Sequence, residues 1–279
     1  MSFFLICILL LAALLHASWN ALLRAETDRF WSMNMICVTI VLICGILTII
    51  APIPTRLSWQ YIILSALLHL GYNLFLVRSY RSGDLGQTYP VARGSSPLLV
   101  TLGGAIFSGE GVPHWVSLTG IVLVSFGIIS IAFHGRKLSL QTFFYALGTG
   151  VFIALYSVTD GIGGRLSGTP FGYMVWMGLL WGLMMPVIYI LVRDVRSFIR
   201  GSKETLAAAG SGFISLLGYG IVVWAMSLAP LGAVAALRET SIVFAALIGH
   251  FFLREQLTFE RILNCLVIAI GILLISNDH

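Results

Sequence analysis

Two stretches decide how this chain is read: YPVARGSSPLLVTLGGAIFSGE, residues 89–110, and VAALRETSIVFAALIGHFFLRE, residues 234–255. Laid one on the other at an offset of 145, they bring Arg93 onto Arg238, Ser96 onto Ser241, Gly104 onto Gly249 and Glu110 onto Glu255. Four polar or glycine matches in so short a window mark a repeat. Each copy also sets an arginine inside an apolar run, and the first adds Pro90 and Pro97. A permanent charge and two helix breakers in such surroundings need a reason.

The surroundings are hydrocarbon-like. The chain has 279 residues, 58% hydrophobic and 10% charged, against about 25% charged in a soluble domain. Mean hydropathy is +0.98. The apolar residues fall into ten blocks of roughly the length that crosses a bilayer as a helix. These predicted spans are 3–23, 31–51, 59–78, 86–107, 114–133, 141–161, 171–192, 206–228, 232–253 and 259–276. The first ends in a passable cleavage motif but lacks a basic leader, so it reads as a retained span.

The offset continues outside the two quoted stretches. A shift of 147 sets Gly71-Tyr72 on Gly218-Tyr219, and one near 137 sets Ala17 and Trp19 against Ala154 and Tyr156. Small insertions account for the drift. The expected fold is therefore all-α and polytopic: ten transmembrane helices in two five-helix units, residues 1–135 and 140–279. Because five is odd, the second unit crosses in the opposite sense, the inverted-repeat plan of many secondary transporters.

Charge supports a membrane and argues against nucleic acid. The net charge of +5 is spread over short loops. Twelve Arg and Lys lie in the loops after odd-numbered spans, against Arg56 and Arg165 on the opposite side. By the positive-inside rule this bias puts both termini outside the cytoplasm. Cys7, Cys37, Cys44 and Cys265 all fall within spans, with no disulfide or metal spacing. GIGGRLSGTP, residues 161–170, follows no strand and lacks a Gly-Lys-Ser/Thr ending, so it reads as a flexible connection rather than a phosphate loop. No cofactor is expected.

WNALLR (19–24), the paired fourth and ninth spans, and the turns Gly109-Glu110 and Arg254-Glu255 before a Gly-containing last span carry a family resemblance. The chain resembles two EamA domains of the drug/metabolite transporter superfamily over essentially its whole length. The resemblance implies a bacterial inner-membrane, multi-pass carrier working by alternating access. It also implies a central cavity lined by spans 1, 3, 4, 6, 8 and 9, and cytoplasmic termini, opposite to the charge bias. Export is favoured over import, as the family contains many exporters. The chain departs from the family where span 1 reads His16-Ala17 in place of a Trp-Gly pair.

Charges at membrane depth are the most informative residues, since each costs about 2.5–3.5 kcal/mol at a helix centre unless paired or wet. Arg93 and Arg238 are the first candidates for gripping an anionic group through the guanidinium fork. The structural alternative is an internal ion pair, Arg238 with Glu239 or with Asp160. Glu239 and Asp160 are the acids available for proton coupling.

Helical spacing groups the neutral polar residues. His16 and Asn20 share one face of span 1; His69, Tyr72 and Asn73 share one of span 3; Tyr89, Arg93 and Ser96 share one of span 4. Tyr156, Tyr219 and Trp224 are weaker candidates for aromatic walls. His250 and Asn264 read as interhelical hydrogen-bonders, and Trp31, Trp59, Tyr61 and Trp115 as interfacial aromatics.

The expected function is secondary transport of a small polar or amphipathic organic solute, amino-acid-like or another metabolite, with protons as a candidate coupling ion. A membrane-embedded enzyme acting on a lipid-linked or phosphorylated substrate is the alternative. It lacks a local constellation of acid, His or Ser residues.

Overall fold

The computed structural model describes residues 1–82, 85–132, 139–193, 201–253 and 259–277. These are 87% helical, without strands. In chain order the helices are α1 (Phe3–Ala25), α2 (Arg29–Leu47), α3 (Trp59–Ser82), α4 (Leu85–Phe107), α5 (Trp115–Ala132) and α6 (Leu140–Leu166). There follow α7 (Pro170–Val192), α8 (Ser202–Met226), α9 (Leu231–Glu239), α10 (Ser241–Leu253) and α11 (Phe259–Asn277).

Among the described residues, seven helical stretches are long and apolar enough to cross a membrane: Phe3–Leu23, Arg29–Leu47, Arg56–Arg78, Leu140–Leu166, Pro170–Val192, Ser202–Met226 and Leu231–Ile248. The ten expected spans include three beyond this set. Trp115–Ile131 and Ile262–Ser276 are apolar but shorter. The third is α4, which spends its length on a polar stripe and two prolines.

The molecule is built inside out relative to a soluble protein. Large apolar side chains such as Leu42, Ile106, Phe126, Leu191 and Leu273 stand exposed. Arg93, Arg238, Glu239 and Asp160 are buried. An apolar exterior this extensive is what a lipid solvent requires.

Each helix lies against distant ones. α1 packs on α8, α3 on α6, α2 on α7 and α5 on α11, while α4 is enclosed by α5, α6 and α9. Between α5 and α11 the backbones nearly touch: a Cβ on Gly120 would stand 2.6 Å from the Gly271 carbonyl oxygen. Ser130 Oγ donates to Asn264 Oδ1 across the same interface at 2.6 Å, the interhelical role expected of Asn264. The side chain of His250 lies outside the described residues.

Three local expectations are corrected. The ninth span is not one helix: it is divided at Thr240, whose N–H bonds the Leu237 carbonyl in a tightened turn. The prolines are in α4, and that helix is continuous through both. GIGGRLSGTP is mostly helix, because α6 continues to Leu166 and turns at Gly168, whose φ of +71° favours glycine. Trp31, the third residue of α2, is fully buried against its neighbours.

One consequence concerns stability. Gly271→Val drives a branched side chain into the α5 backbone and is expected to cost about 1–3 kcal/mol by overpacking. Gly45→Ala, where an added Cβ meets nothing within 4 Å, is expected to be neutral. Thermal unfolding of the purified protein in detergent checks the pair.

Candidate functional site

The site forms where α4, α6 and α9 meet in the middle of the bundle. Glu239, fully buried at the end of α9, is its centre. Arg93 Nη1 donates to both carboxylate oxygens, at 3.2 and 3.0 Å. Arg238 donates from Nε and Nη2 to Oε1 at 3.0 and 2.9 Å. Both arginines are 1% exposed. One carboxylate thus serves two guanidinium groups.

Local sequence explains how they meet. Arg238 and Glu239 are adjacent, so on an unbroken helix they would diverge by about 100°. They occupy the last two positions of α9 before the break, and both reach the same place. Opposite them, Pro97 lacks the N–H that would serve the Arg93 carbonyl. The Ser96 hydroxyl stands 3.2 Å from that carbonyl and 3.1 Å from Glu239 Oε1, compensating the proline while facing the carboxylate. Gly150 of α6 lets α4 approach: a Cβ there would lie 2.8 Å from the Ala92 carbonyl oxygen.

An aromatic layer lies beside the charges. Arg238 sits 5.9 Å from the Tyr156 ring centroid and donates from Nη1 to Ser157 Oγ at 3.3 Å. His69 stacks on Tyr156 with centroids 4.0 Å apart and also meets Trp181 and Tyr219, at 4.8 and 5.2 Å. Tyr72 meets Tyr156 edge-on at 5.5 Å. Beyond this layer lies Asp160. Tyr173 donates to its Oδ1 at 2.9 Å, and the Tyr219 hydroxyl donates to Oδ2. The pairing of Arg238 with Glu239 is therefore formed, whereas Asp160 is held by tyrosine hydroxyls instead of by Arg238.

His16 has a defined tautomer. The Trp19 indole N–H, a donor only, bonds His16 Nδ1 at 3.2 Å. Nδ1 must therefore be the acceptor, and the proton of the neutral ring is on Nε2. That nitrogen is buried without a hydrogen-bond partner. Asn20 turns its amide back onto the His16 carbonyl at 2.8 Å. Asn73 Nδ2 contacts Cys37 Sγ at 3.8 Å, leaving its Oδ1 unpartnered.

Residues 140–277 match the EamA-like transporter family. The chain belongs to that family. A crystal structure of a protein 18% identical to it shares the fold, with a TM-score of 0.77 over 98% of both chains. No curated protein matches the chain. This EamA protein is a multi-pass membrane transporter of the drug/metabolite type.

Of the residues the sequence nominates, Arg93, Ser96, Arg238, Glu239 and Tyr156 come together around one carboxylate, with His69, Tyr72, Tyr219 and Asp160 in the adjoining layer. Trp224 is not among them: it is 37% exposed and faces a cavity beside Met1 and Phe4. The side chain of Tyr89 lies outside the described residues. Ser157, Tyr173 and Trp181 were not nominated. Ser157 and Asp160 are three apart on α6, a helical spacing that marks a shared face. Tyr173 and Trp181 sit in a span with no polar stripe, so only the fold reveals them.

The shared carboxylate carries a stability prediction. Glu239→Ala strands two buried guanidinium groups and is expected to cost about 3–5 kcal/mol. The triple replacement Arg93→Met, Arg238→Met, Glu239→Met is expected to recover most of that loss. Thermal unfolding of the EamA protein in detergent distinguishes the two, and a shift from Glu239→Ala below ~1 kcal/mol would contradict the shared-ion-pair reading.

Proposed function

We propose that this EamA protein is a secondary active transporter of the cell's inner (plasma) membrane, carrying a small organic solute with an anionic group. The solute is polar or amphipathic, an amino-acid-like compound or another metabolite, and it binds at the Arg93–Glu239–Arg238 centre. The observation that carries this reading is the sharing of one carboxylate by two guanidinium groups. Two guanidinium groups converge on one carboxylate, and a solute carboxylate or phosphonate competes with Glu239 for the same donors, with bidentate geometry suited to a guanidinium fork. The Nε2 proton of His16, and the ring stack of Tyr156, His69 and Tyr219, offer a further donor and an apolar wall.

Alternating access follows from a two-repeat reading, α1–α5 against α6–α11, with α9 and α10 together answering to α4. What supports it is the neighbour pattern. Exchanging the two sets turns the α1–α8 contact into α6–α3, and α2–α8 into α7–α3, while α2–α7, α5–α11 and α4–α9 map onto themselves. Ten spans in two inverted units then place the arginines at the interface between units, where rocking exposes them to each face in turn. Energy comes from an ion gradient, with Glu239 and Asp160 as the candidate proton carriers, and export is the favoured direction.

Arg93→Lys keeps the charge and loses the fork. It is expected to insert and fold but to lose solute transport in proteoliposomes; unchanged transport overturns the role of Arg93. Glu239→Gln is expected to abolish proton-driven accumulation while sparing solute exchange. A screen of carboxylates and phosphonates for a rise in melting temperature identifies the solute, since a ligand of the native state stabilises it by mass action.

A further inference from the structure

A second charged cluster lies at the membrane face where α9 begins, outside the site just described. α9 starts at Pro230, whose side chain offers no cap to the first turn. The cap comes from elsewhere. Glu110 follows α4 in a turn flanked by Gly109 and Gly111, both at φ +72°, and both its carboxylate oxygens accept from Leu231 N at 3.1 Å. An acidic group at that position satisfies an orphan amide and meets the positive end of the helix dipole.

Arg165, at the end of α6, completes the cluster. Its Nη2 donates to Glu110 Oε1 and, at 2.9 Å, to the Ala229 carbonyl. Its Nε donates to the Met226 carbonyl at 2.9 Å, at the end of α8. One ion pair therefore joins the turn after α4, the end of α6, the end of α8 and the start of α9. Glu110 and Arg165 also line a cavity of about 420 Å³ with Thr101, His114 and Ser117.

α9 is held at both ends by α4 and its following turn. Its first residue is fastened by Glu110, and its last, Glu239, is fastened to Arg93, with Arg238 joined to the same carboxylate. From end to end the helix spans nine residues, a rod about 13 Å long. It rests on Thr101, whose Oγ1 would be 2.2 Å from a Cβ on Gly232. At Thr240 the rod is separated from α10 by the break.

We propose that Glu110 and Arg165 are the gate of the face at which α9 begins, and that α9 couples their opening to the state of the Arg93–Glu239–Arg238 centre. When a solute anion takes up the arginines, Glu239 is loosened, α9 pivots at Thr240, and its N-terminus leaves the Glu110 carboxylate. Glu110 and Arg165 are positioning residues for transport and need not touch the solute. As a gate for transport the proposal rests on the function assigned above, but its test needs no solute.

In the full-length protein with Cys7, Cys37, Cys44 and Cys265 replaced by serine, Thr101→Cys places a thiol beneath the first turn of α9. Ser32→Cys places one on α2, a turn from the Asp28–Arg193 ion pair at the opposite face. The rate of labelling by a membrane-impermeant maleimide is measured in detergent. Glu110→Gln is expected to speed labelling at Thr101→Cys by about tenfold or more, the population shift that loss of charge-assisted hydrogen bonds brings, and to leave Ser32→Cys slow.

Arg165→Gln, attacking the same pair from the other side, is expected to do the same, and stands in should Glu110→Gln fail to yield monodisperse protein. Glu239→Gln is expected to speed Thr101→Cys labelling from the far end of α9. Unchanged labelling on breaking the Glu110–Arg165 pair overturns the gate, and unchanged labelling in Glu239→Gln overturns the coupling. Equal acceleration at Thr101→Cys and Ser32→Cys signals general loosening and overturns both. None of these readings changes if the anionic-solute assignment fails.

Discussion

The Glu239 carboxylate, held by two arginines in a molecule whose exterior is hydrocarbon-like, is the constraint on which the rest depends. Charges removed from water cost several kcal/mol each, and their mutual attraction offsets this only when geometry is close and the remaining hydrogen-bonding positions are filled. α4, α6 and α9 are brought together to meet that condition. Gly150 lets α4 approach α6, Pro97 is tolerated because Ser96 serves the stranded carbonyl, and α9 ends where the Glu239 carboxylate meets Arg93 and Arg238 together. In a bilayer, helices gain little by hiding apolar faces from one another. Polar links of this kind, and close backbone contacts such as Gly120 on Gly271, carry a larger share of the specificity.

Asp160 shows a different solution to the same cost. Its two oxygens accept from Tyr173 and Tyr219, so a buried carboxylate is satisfied by neutral donors rather than by a cation. The His69–Tyr156–Tyr219 layer stands between it and Arg238. The interior therefore holds two acids in unlike settings, one saturated by guanidinium groups and one by hydroxyls.

What is legible in the sequence follows from cost and period. An arginine in an apolar run is expensive enough to demand a partner or water, and the offset of 145 alone is enough to pair the two arginines. From the stripe of His69, Tyr72 and Asn73, helical spacing brings His69 and Tyr72 onto Tyr156, while Asn73 turns to Cys37 of α2. The break at Thr240 is not legible, because breakers are sought at prolines and both prolines lie in the other copy. There the missing donor is compensated by a neighbouring hydroxyl, whereas Thr240 tightens the chain with no breaker residue at all. Tyr173 is invisible for a related reason: it meets Asp160 across the fold, and α7 offers no polar periodicity to mark it. Trp224 fails in the opposite sense, since an aromatic within a span carries no sign of which way it faces.

The two ends of the bundle are tied by different ion pairs, which bears on how the proposed inverted-repeat carrier favours one direction. At one face Arg165 and Glu110 tie helix ends through backbone carbonyls and an amide. At the other, Arg193 pairs with Asp28 while lying over Phe30 and Tyr189, 5.4 and 5.7 Å from their ring centroids, with those rings stacked on each other. Under an exchange of α1–α5 with α6–α11, the ends of α2 and α7 that carry Asp28 and Arg193 map onto ends reading Thr48 and Thr169, which bear no charge. Inward-open and outward-open states of a strictly symmetric carrier would be equal in energy. In the two-repeat carrier proposed above, the Asp28–Arg193 pair, whose counterpart positions bear no charge, removes that equality, and a bias of about 1.4 kcal/mol already shifts the two populations tenfold.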